Sequence, residues 1–186
     1  MYDKIEGDRY YHIFNQANGM IDIFKESRNY PFFIDKMEYH LTPVCEILAF
    51  CLLKDQFHII LKSKKVAESK IIDAFNNLHS EYTQSYNKAY NRSGDLFEDS
   101  FKRKLIESNE LLKNTILHTH HLPIASGTVK HIMSYPWSSY NEIMDDDITF
   151  LERDFVLELF NDSANFAAAH EAFKSNPSFI PTFEQQ

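Results

Sequence analysis

The segment TPVCEILAFCLLKDQFHIILK, residues 42–62, decides the fold. Two apolar runs, Cys45–Leu53 and residues 56–61, are separated by only two polar residues, and this tight connection predicts a pair of antiparallel strands. Because side chains alternate between the two faces of a strand, Gln56 and His58 project from the same face of the second strand. The pair is therefore the first candidate for a functional site.

The segments on either side of this pair alternate between strand and helix patterns. An Asn-Gly turn ends the first strand, and Asn29 followed by Pro31 opens the first helix. The order predicts an α+β fold, an antiparallel sheet with helices packed on it. The predicted elements are strand 9–18, a helix from Asn29, strands 45–53 and 56–61, helix 64–90, strand 96–106, a helix after Ser108, and short helices 153–160 and 164–174.

The composition indicates a globular protein with a substantial core, since 44% of the 186 residues are hydrophobic and 15% are aromatic. The chain shows no signal-peptide pattern and no run of about 18 apolar residues, so we expect a soluble, cytoplasmic protein without a membrane partner. Cys45 and Cys51 lie in one predicted strand, roughly 20 Å apart, and cannot form a disulfide there. Two buried thiols fit a reducing compartment.

The net charge of −8 is concentrated in the last quarter of the chain. Residues 142–186 carry ten acidic and two basic side chains, whereas residues 1–141 are neutral overall. An acidic protein is poorly suited to nucleic acid, because neutralising phosphates supplies most of the non-specific affinity. Here the acidity belongs to the end of the chain, so we divide it into a main domain, residues 1–142, and an acidic helical C-terminal extension, residues 143–186.

Five segments of the main domain resemble, in order and spacing, the single-tyrosine HUH transposases. These are the insertion-sequence 200-like and REP-associated tyrosine transposases, in their Bacteroidetes-type versions. The matching segments cover about residues 10–142 and read YHIFNQAN, LTPVCEILAFCLLKDQFHIIL, YTQSYNKAYNRSGDLFEDSFKRK, ESNELLKNTILHTHHLPIASGTV and YPWSSY. The resemblance implies a ferredoxin-like fold and single-stranded or hairpin DNA as substrate. It also implies cleavage and rejoining of DNA through a phosphotyrosine, aided by a divalent metal on paired histidines.

The chain departs from this family at the catalytic positions. The family's proline-asparagine-histidine-hydrophobic-histidine motif aligns with residues 54–58, so Gln56 replaces one metal ligand and His58 is the remaining one. A neutral amide is a weaker ligand than imidazole for most transition metals. Aligning on Pro123 places His118 where the family has its nucleophilic tyrosine. Leu122 stands at the family's asparagine position, and Gln16-Ala17 stands at its arginine-glycine. Together these losses predict a degenerate transposase domain with catalysis lost.

Several interpretations of the site remain open. His58 is either a hydrogen-bonded structural histidine or a metal ligand. His118 and His121 share a helix face, so a remodelled site of Gln56, His58, His118 and His121 could hold Mg²⁺ or Mn²⁺, or His118 could act as a nucleophile. The candidate DNA contacts are Arg92, Lys102, Arg103 and Lys104; alternation places Lys102 and Lys104 on one strand face and Arg103 on the other, and the alternative is a solvated edge strand.

Three functions are compatible with the sequence. The first is a transposase-related protein that binds DNA without strand transfer, in which aromatic residues such as Phe101 and Trp137 could stack on bases. The second is a residually active, metal-dependent DNA-nicking enzyme. The third is an interaction protein that does not bind nucleic acid, whose acidic extension covers the former DNA groove or binds a partner. Relatives include dimers and monomers, so a homodimer is also possible.

Overall fold

The computed structural model describes residues 3–98 and 101–175. Four antiparallel strands form one sheet in the order β2-β3-β1-β4, which is the ferredoxin-like arrangement. The predicted α+β fold is confirmed. The elements are β1 (Tyr10–Gln16), α1 (Asn29–Leu41), β2 (Cys45–Leu53), β3 (Gln56–Ser63), α2 (Glu68–Tyr90), β4 (Lys102–Ile106), α3 (Asn109–Ala125), a 3₁₀ turn (Ile132–Ser134), α4 (Tyr140–Met144), α5 (Arg153–Leu159) and α6 (Ser163–Ser175).

The predicted strand pair forms the expected hairpin. Leu53 pairs with Gln56 across the two-residue connection, and the register continues to Cys45 opposite Ser63 with one irregularity near Leu48. β1 then inserts between β3 and β4, so β1 and β3 are the central strands. In β2 and β3, apolar side chains on both faces of the strand are buried, which explains why residues 45–61 are apolar almost throughout.

The helices α1 and α2 pack on one face of the sheet and form the main core with it. Phe33 of α1 contacts Phe57 of β3, with ring centroids 5.3 Å apart. Phe75 and Leu78 of α2 are fully buried in the same cluster. The apolar stripes of the two helices therefore have the packing role that their spacing indicates.

Three tyrosines on α2 fix the segment between β1 and α1. The Tyr82 hydroxyl donates to the carbonyl oxygen of Ile23 at 2.6 Å, and the Tyr86 hydroxyl to that of Asp22 at 2.7 Å. The Tyr90 hydroxyl donates to Asn29 Oδ1 at 3.1 Å. The hydroxyls are thus engaged in structural hydrogen bonds, and their four-residue spacing reflects packing.

The last strand of the sheet is shorter than the sequence predicts. β4 begins at Lys102, whereas the sequence predicts a strand from residue 96. Before Lys102, the described residue Phe97 forms an isolated bridge with Ala17. Phe97 and Phe101 are buried against His79 and Phe75 of α2.

The outer edge of β2 is hydrogen-bonded to later parts of the same chain. The amide of Leu52 donates to the carbonyl oxygen of Trp137, and the amide of Glu152 donates to that of Ile47, both at 2.9 Å. Ser139 pairs with Phe50 through backbone and side chain. A second copy of the chain could extend the sheet at β2 only by displacing these segments.

The two cysteines are free and buried, as expected. Burial raises the pKa of the Cys45 thiol to about 12, and it also raises the pKa of Cys51. Among the described residues, no helix is both long enough and apolar enough to cross a membrane.

Candidate functional site

The sheet face opposite α1 and α2 carries the strand histidines. In the sheet register Phe14 lies between His58 of β3 and Lys102 of β4, and His12 lies beside Lys104. Paired residues of antiparallel strands project to the same side. We call this surface the histidine face, formed by His12, Phe14, Gln56, His58, Lys102 and Lys104.

Three of these side chains form a hydrogen-bonded chain. His12 Nε2 lies 3.0 Å from His58 Nδ1, and His58 Nε2 lies 3.4 Å from Gln56 Oε1. An amide oxygen only accepts, so His58 carries its hydrogen on Nε2 and its Nδ1 accepts from His12. Both ring nitrogens of His58 are therefore engaged.

The buried position of this chain keeps His12 neutral. His12 is fully buried and His58 is 3% exposed. Burial lowers the pKa of His12 well below its ordinary value, and the neighbouring His58 and His118 lower that pKa further. The Phe14 ring lies parallel to the His58 ring with centroids 5.6 Å apart. At neutral pH His12 therefore carries no positive charge.

The structure brings the predicted residues Gln56, His58 and His118 to the same region and adds His12. His118 lies on α3, which crosses the histidine face, and it is close enough to His12 to affect the His12 pKa. His12 is the residue that sequence reasoning missed. Its only signal is a histidine in an aromatic strand, and its role becomes visible only once β1 is placed beside β3 in register.

The residues of this site do not fit the divalent metal that the family resemblance implies. The His58 Nδ1 lone pair accepts from His12, and the His58 Nε2 hydrogen points to Gln56, so no lone pair on His58 is available to a metal. Within residues 3–98 and 101–175, no group of three or more histidine, cysteine or acidic side chains is arranged to hold a metal ion. We therefore derive no chemical step through a metal.

The other α3 histidines belong to a second cluster, away from His58. His121 Nδ1 donates to the Leu117 carbonyl oxygen at 2.8 Å, and its ring lies parallel to His170 of α6 with centroids 5.7 Å apart. The predicted set of Gln56, His58, His118 and His121 is thus divided between two places. His118 adjoins the sheet, whereas His121 adjoins α6.

The second cluster contains a buried chain of hydrogen bonds with a single consistent direction. His170 Nδ1 donates to the Phe166 carbonyl oxygen at 2.8 Å, so His170 Nε2 accepts from His120 Nδ1 at 2.9 Å. His120 Nε2 in turn accepts from Ser139 Oγ at 2.7 Å. The backbone amide of Phe50 donates to the same Ser139 oxygen at 2.8 Å. The chain connects α6 and α3 to the edge of the sheet.

Two of the four predicted DNA contacts lie on the histidine face. Lys102 Nζ lies 3.3 Å from a Glu98 carboxylate oxygen and 5.9 Å from the centre of the Phe14 ring. Lys104, the next outward-facing residue of β4, is partly exposed beside His12. The two lysines form a short basic row along the sheet edge.

The two predicted arginines lie elsewhere. Arg103 projects from the other side of β4, where its Nε donates to the Asp3 carbonyl oxygen at 2.6 Å and its guanidinium lies 3.7 Å from Glu68. The Arg92 guanidinium donates to Asn87 Oδ1 and to the carbonyl oxygens of residues 94 and 95, at 2.7–3.0 Å. Both arginines stabilise local structure.

The aromatic candidates for base stacking also differ from each other. Phe101 is 4% exposed and packs against Phe75, so its ring is not accessible to a base. Trp137 is partly exposed and stacks on Tyr30 with ring centroids 4.5 Å apart. Of these two rings, that of Trp137 is therefore the accessible one.

Helix α5 reaches the edge of the histidine face. Phe155 of α5 stacks on Tyr10 of β1, with ring centroids 5.9 Å apart, and Tyr10 projects from the same side of β1 as His12. Tyr10, Lys113, Phe155 and Glu158 contribute to the lining of a cavity of about 350 Å³. An acidic residue thus lies beside the surface proposed to meet DNA.

Comparisons with known proteins agree with this architecture at the level of fold. The chain matches the structure of a REP-associated tyrosine transposase bound to a REP hairpin, with a TM-score of 0.64 and 14% identity, over 76% of this chain and 82% of that one. It also matches, more weakly, a bacterial tRNA(His) guanylyltransferase (Thg1)-like protein in complex with GTP, with a TM-score of 0.44 and 8% identity over 69% and 72% of the two chains. No family model and no curated protein matches the sequence. The chain therefore shares the fold of the transposase.

Proposed function

We propose that this protein binds single-stranded or hairpin DNA on the histidine face and does not carry out phosphotyrosine strand transfer. The main support is that Lys102 and Lys104 project from the same sheet face as His58. The two partly exposed lysines suit contacts to phosphates, which position a strand without reading its sequence. The transposase that shares this fold is bound to a hairpin.

The proposed loss of strand transfer rests on His58 and His118. Strand transfer of the family type needs a tyrosine nucleophile on the later helix and a metal that polarises the phosphate. In the sequence resemblance His118, a residue of α3, stands where the family has its tyrosine, which supports the proposal. His58 has both ring nitrogens engaged by His12 and Gln56.

Salt-dependent DNA binding tests this proposal. A hairpin with a single-stranded 5′ extension is titrated by fluorescence anisotropy at about 50 to 200 mM salt. The variant Lys102→Ala/Lys104→Ala should bind more weakly and reduce the slope of log K against log salt by about 1.4–1.8. Lys70→Ala/Lys88→Ala is the matched control, because both lysines are exposed on α2, on the other side of the sheet. Equal losses in the two variants, or no binding by the natural sequence, would contradict the proposal.

A second candidate function is supported by the stacking of Phe155 on Tyr10. We propose, as the alternative, that residues 143–186 form an acidic extension of the main domain. This extension would restrict the access of DNA to the histidine face, and the protein would bind a protein partner instead. Glu158 lines the cavity next to Tyr10 and places negative charge near any strand bound there. Measured DNA affinity separates the two functions, since a surface adapted to a protein partner would bind neither hairpin nor single strand.

A further inference from the structure

A groove between α2 and the segment that precedes β4 is the candidate for a second site. It lies between the outer face of α2 and the segment 94–98, and its volume is about 520 Å³, within the usual range for small-ligand pockets. α2 packs on the other face of the sheet, and this α2 groove adjoins the histidine face at Glu98, whose carboxylate lies 3.3 Å from Lys102 Nζ. Its lining is formed by Asn76, His79, Ser80, Thr83, Gln84, Asn87, Gly94, Asp95, Leu96, Phe97 and Glu98.

The helix wall of the α2 groove is polar and uncharged over three turns. Asn76, Ser80, Thr83, Gln84 and Asn87 follow helical spacing, so they lie on one face of α2. Gln84 Nε2 donates to Ser80 Oγ at 3.0 Å, which leaves the amide oxygen of this exposed side chain for a ligand. Amides and hydroxyls at this density provide both donors and acceptors.

The opposite wall is held in place by Arg92. Its guanidinium donates to the carbonyl oxygens of Gly94 and Asp95, and also to Asn87 Oδ1 on α2. Asn87 Nδ2 donates to the Gly94 carbonyl oxygen at 2.9 Å. These hydrogen bonds connect the wall to the helix, so the α2 groove is formed without a ligand. Ligand binding therefore carries little free-energy cost for ordering the groove.

The floor of the α2 groove is aromatic and contains an unusual histidine. The His79 ring stacks on Phe97 with centroids 4.5 Å apart and an interplanar angle of 20°. Burial lowers the pKa of His79 to about 4, so the ring is neutral at pH 7. His79 Nε2 is buried and makes no hydrogen bond with any described part of the chain. A buried polar atom without a partner destabilises a core, so packing alone does not explain a histidine here.

We propose that the α2 groove binds a flat, unphosphorylated heteroaromatic compound of the nucleoside type. An aromatic floor suits the ring carbons of such a ligand, and the amide and hydroxyl wall suits its polar edges. The charged side chains that line the groove within the described residues are the carboxylates of Asp95 and Glu98, the latter paired with Lys102 at 3.3 Å. These carboxylates disfavour a phosphate and favour a ligand with N–H donors.

NMR titration of the full chain with adenosine, uridine and AMP tests the proposal. We expect a nucleoside to shift the amide resonances of the groove residues saturably, with a dissociation constant on the order of 0.1–1 mM for a ligand of about 20 non-hydrogen atoms. AMP should bind several-fold more weakly. Gln84→Ala should weaken nucleoside binding by about 5- to 10-fold, the effect of one hydrogen bond. Asn77→Ala is the matched control, because Asn77 is exposed on α2 next to the groove and does not line it.

Three results would overturn the proposal: no saturable shift at the groove with either nucleoside, shifts centred on the histidine face, or equal affinity in Gln84→Ala and the natural sequence. Tighter binding of AMP than of adenosine would reject the ligand class. This inference does not rest on the proposed DNA function. The variant Lys102→Ala/Lys104→Ala should impair DNA binding and leave the Gln84-dependent part of nucleoside binding in place, so failures of the two proposals are distinguishable.

Discussion

His12 Nε2 lies 3.0 Å from His58 Nδ1, so the histidine that a sequence motif identifies is held by a histidine that no motif marks. The contact joins the two central strands of the sheet, and Gln56 extends it to the position where the family resemblance implies a metal ligand. Gln56, which stands where the family resemblance implies a histidine, therefore does more than remove one metal ligand. It provides an acceptor that keeps the hydrogen on His58 Nε2.

The first prediction concerns the tautomer of His58. Long-range ¹H–¹⁵N NMR spectra should show His58 as the Nε2–H tautomer, because Gln56 accepts from Nε2 and His12 donates to Nδ1. Replacing the acceptor in Gln56→Leu should reduce this preference. An Nδ1–H tautomer of His58 in the natural sequence would contradict the assigned direction of the chain.

The second prediction compares two adjacent buried serines. Ser139→Ala removes the donor to His120 and the acceptor for the Phe50 amide, so it should lower the free energy of unfolding by about 2–4 kcal/mol. Ser138 is equally buried, and its hydroxyl makes no hydrogen bond with any described residue. Ser138→Ala should therefore cost less than about 0.5 kcal/mol or stabilise the fold. Denaturant unfolding of both variants measures the difference, and equal losses would show that the Ser139–His120 contact contributes nothing.

The third prediction concerns stability in acid. Burial lowers the pKa of His79 to about 4 and that of His170 to about 3, below the value of about 6.5 in an unfolded chain. The unfolded state therefore binds more protons as the pH falls below about 6.5. Each histidine should reduce the free energy of unfolding by up to about 1.4 kcal/mol per pH unit, down to its own folded-state pKa.

His79→Phe isolates one of these contributions. Phenylalanine suits the aromatic surroundings of Phe57, Phe97 and Phe101 and has no proton to gain. Between about pH 6.5 and 4, the free energy of unfolding of the variant should depend less steeply on pH, by the equivalent of about one bound proton. Denaturant unfolding at several pH values measures this slope. An unchanged slope would mean that His79 does not remain neutral in the folded protein.

The fourth prediction concerns the acidic extension. Glu158→Gln removes a negative charge beside Tyr10 and should raise hairpin affinity by a few fold at low salt, with the gain lost at high salt because of screening. Asp73→Asn on α2 is the control, since Asp73 is exposed and lies on the side away from the histidine face. If both variants raise affinity equally, the effect reflects net charge and not the position of α5.

The sequence predicts most of the fold because its patterns are local. The apolar runs around Lys54 and Asp55 specify the β2–β3 hairpin, and Ser108 marks the start of α3, where its Oγ accepts from the Leu111 amide at 3.1 Å. The sequence predicts the start of β4 six residues early, because Phe97 and Phe101 are buried beside α2 rather than paired in the sheet ladder at Lys102–Ile106. The boundary between a main domain and an extension at residues 142 and 143 stays a prediction.

The candidate site was only partly predictable because its contacts depend on register and on distant segments. Alternation correctly places Lys102 and Lys104 on one face and Arg103 on the other. The partnership of His12 with His58 requires β1 to lie beside β3, and that of His120 with His170 joins residues fifty positions apart. No local pattern carries either relationship.

The most direct test of the account measures binding and cleavage in the same sample. A 5′-labelled hairpin with a single-stranded extension is incubated with the protein and Mn²⁺ or Mg²⁺, and the products are separated under native and denaturing conditions. We expect a salt-sensitive complex that releases intact DNA when denatured. A nicked strand, or DNA covalently attached to the protein through His118 or a tyrosine, would contradict the proposal that this protein binds DNA without strand transfer.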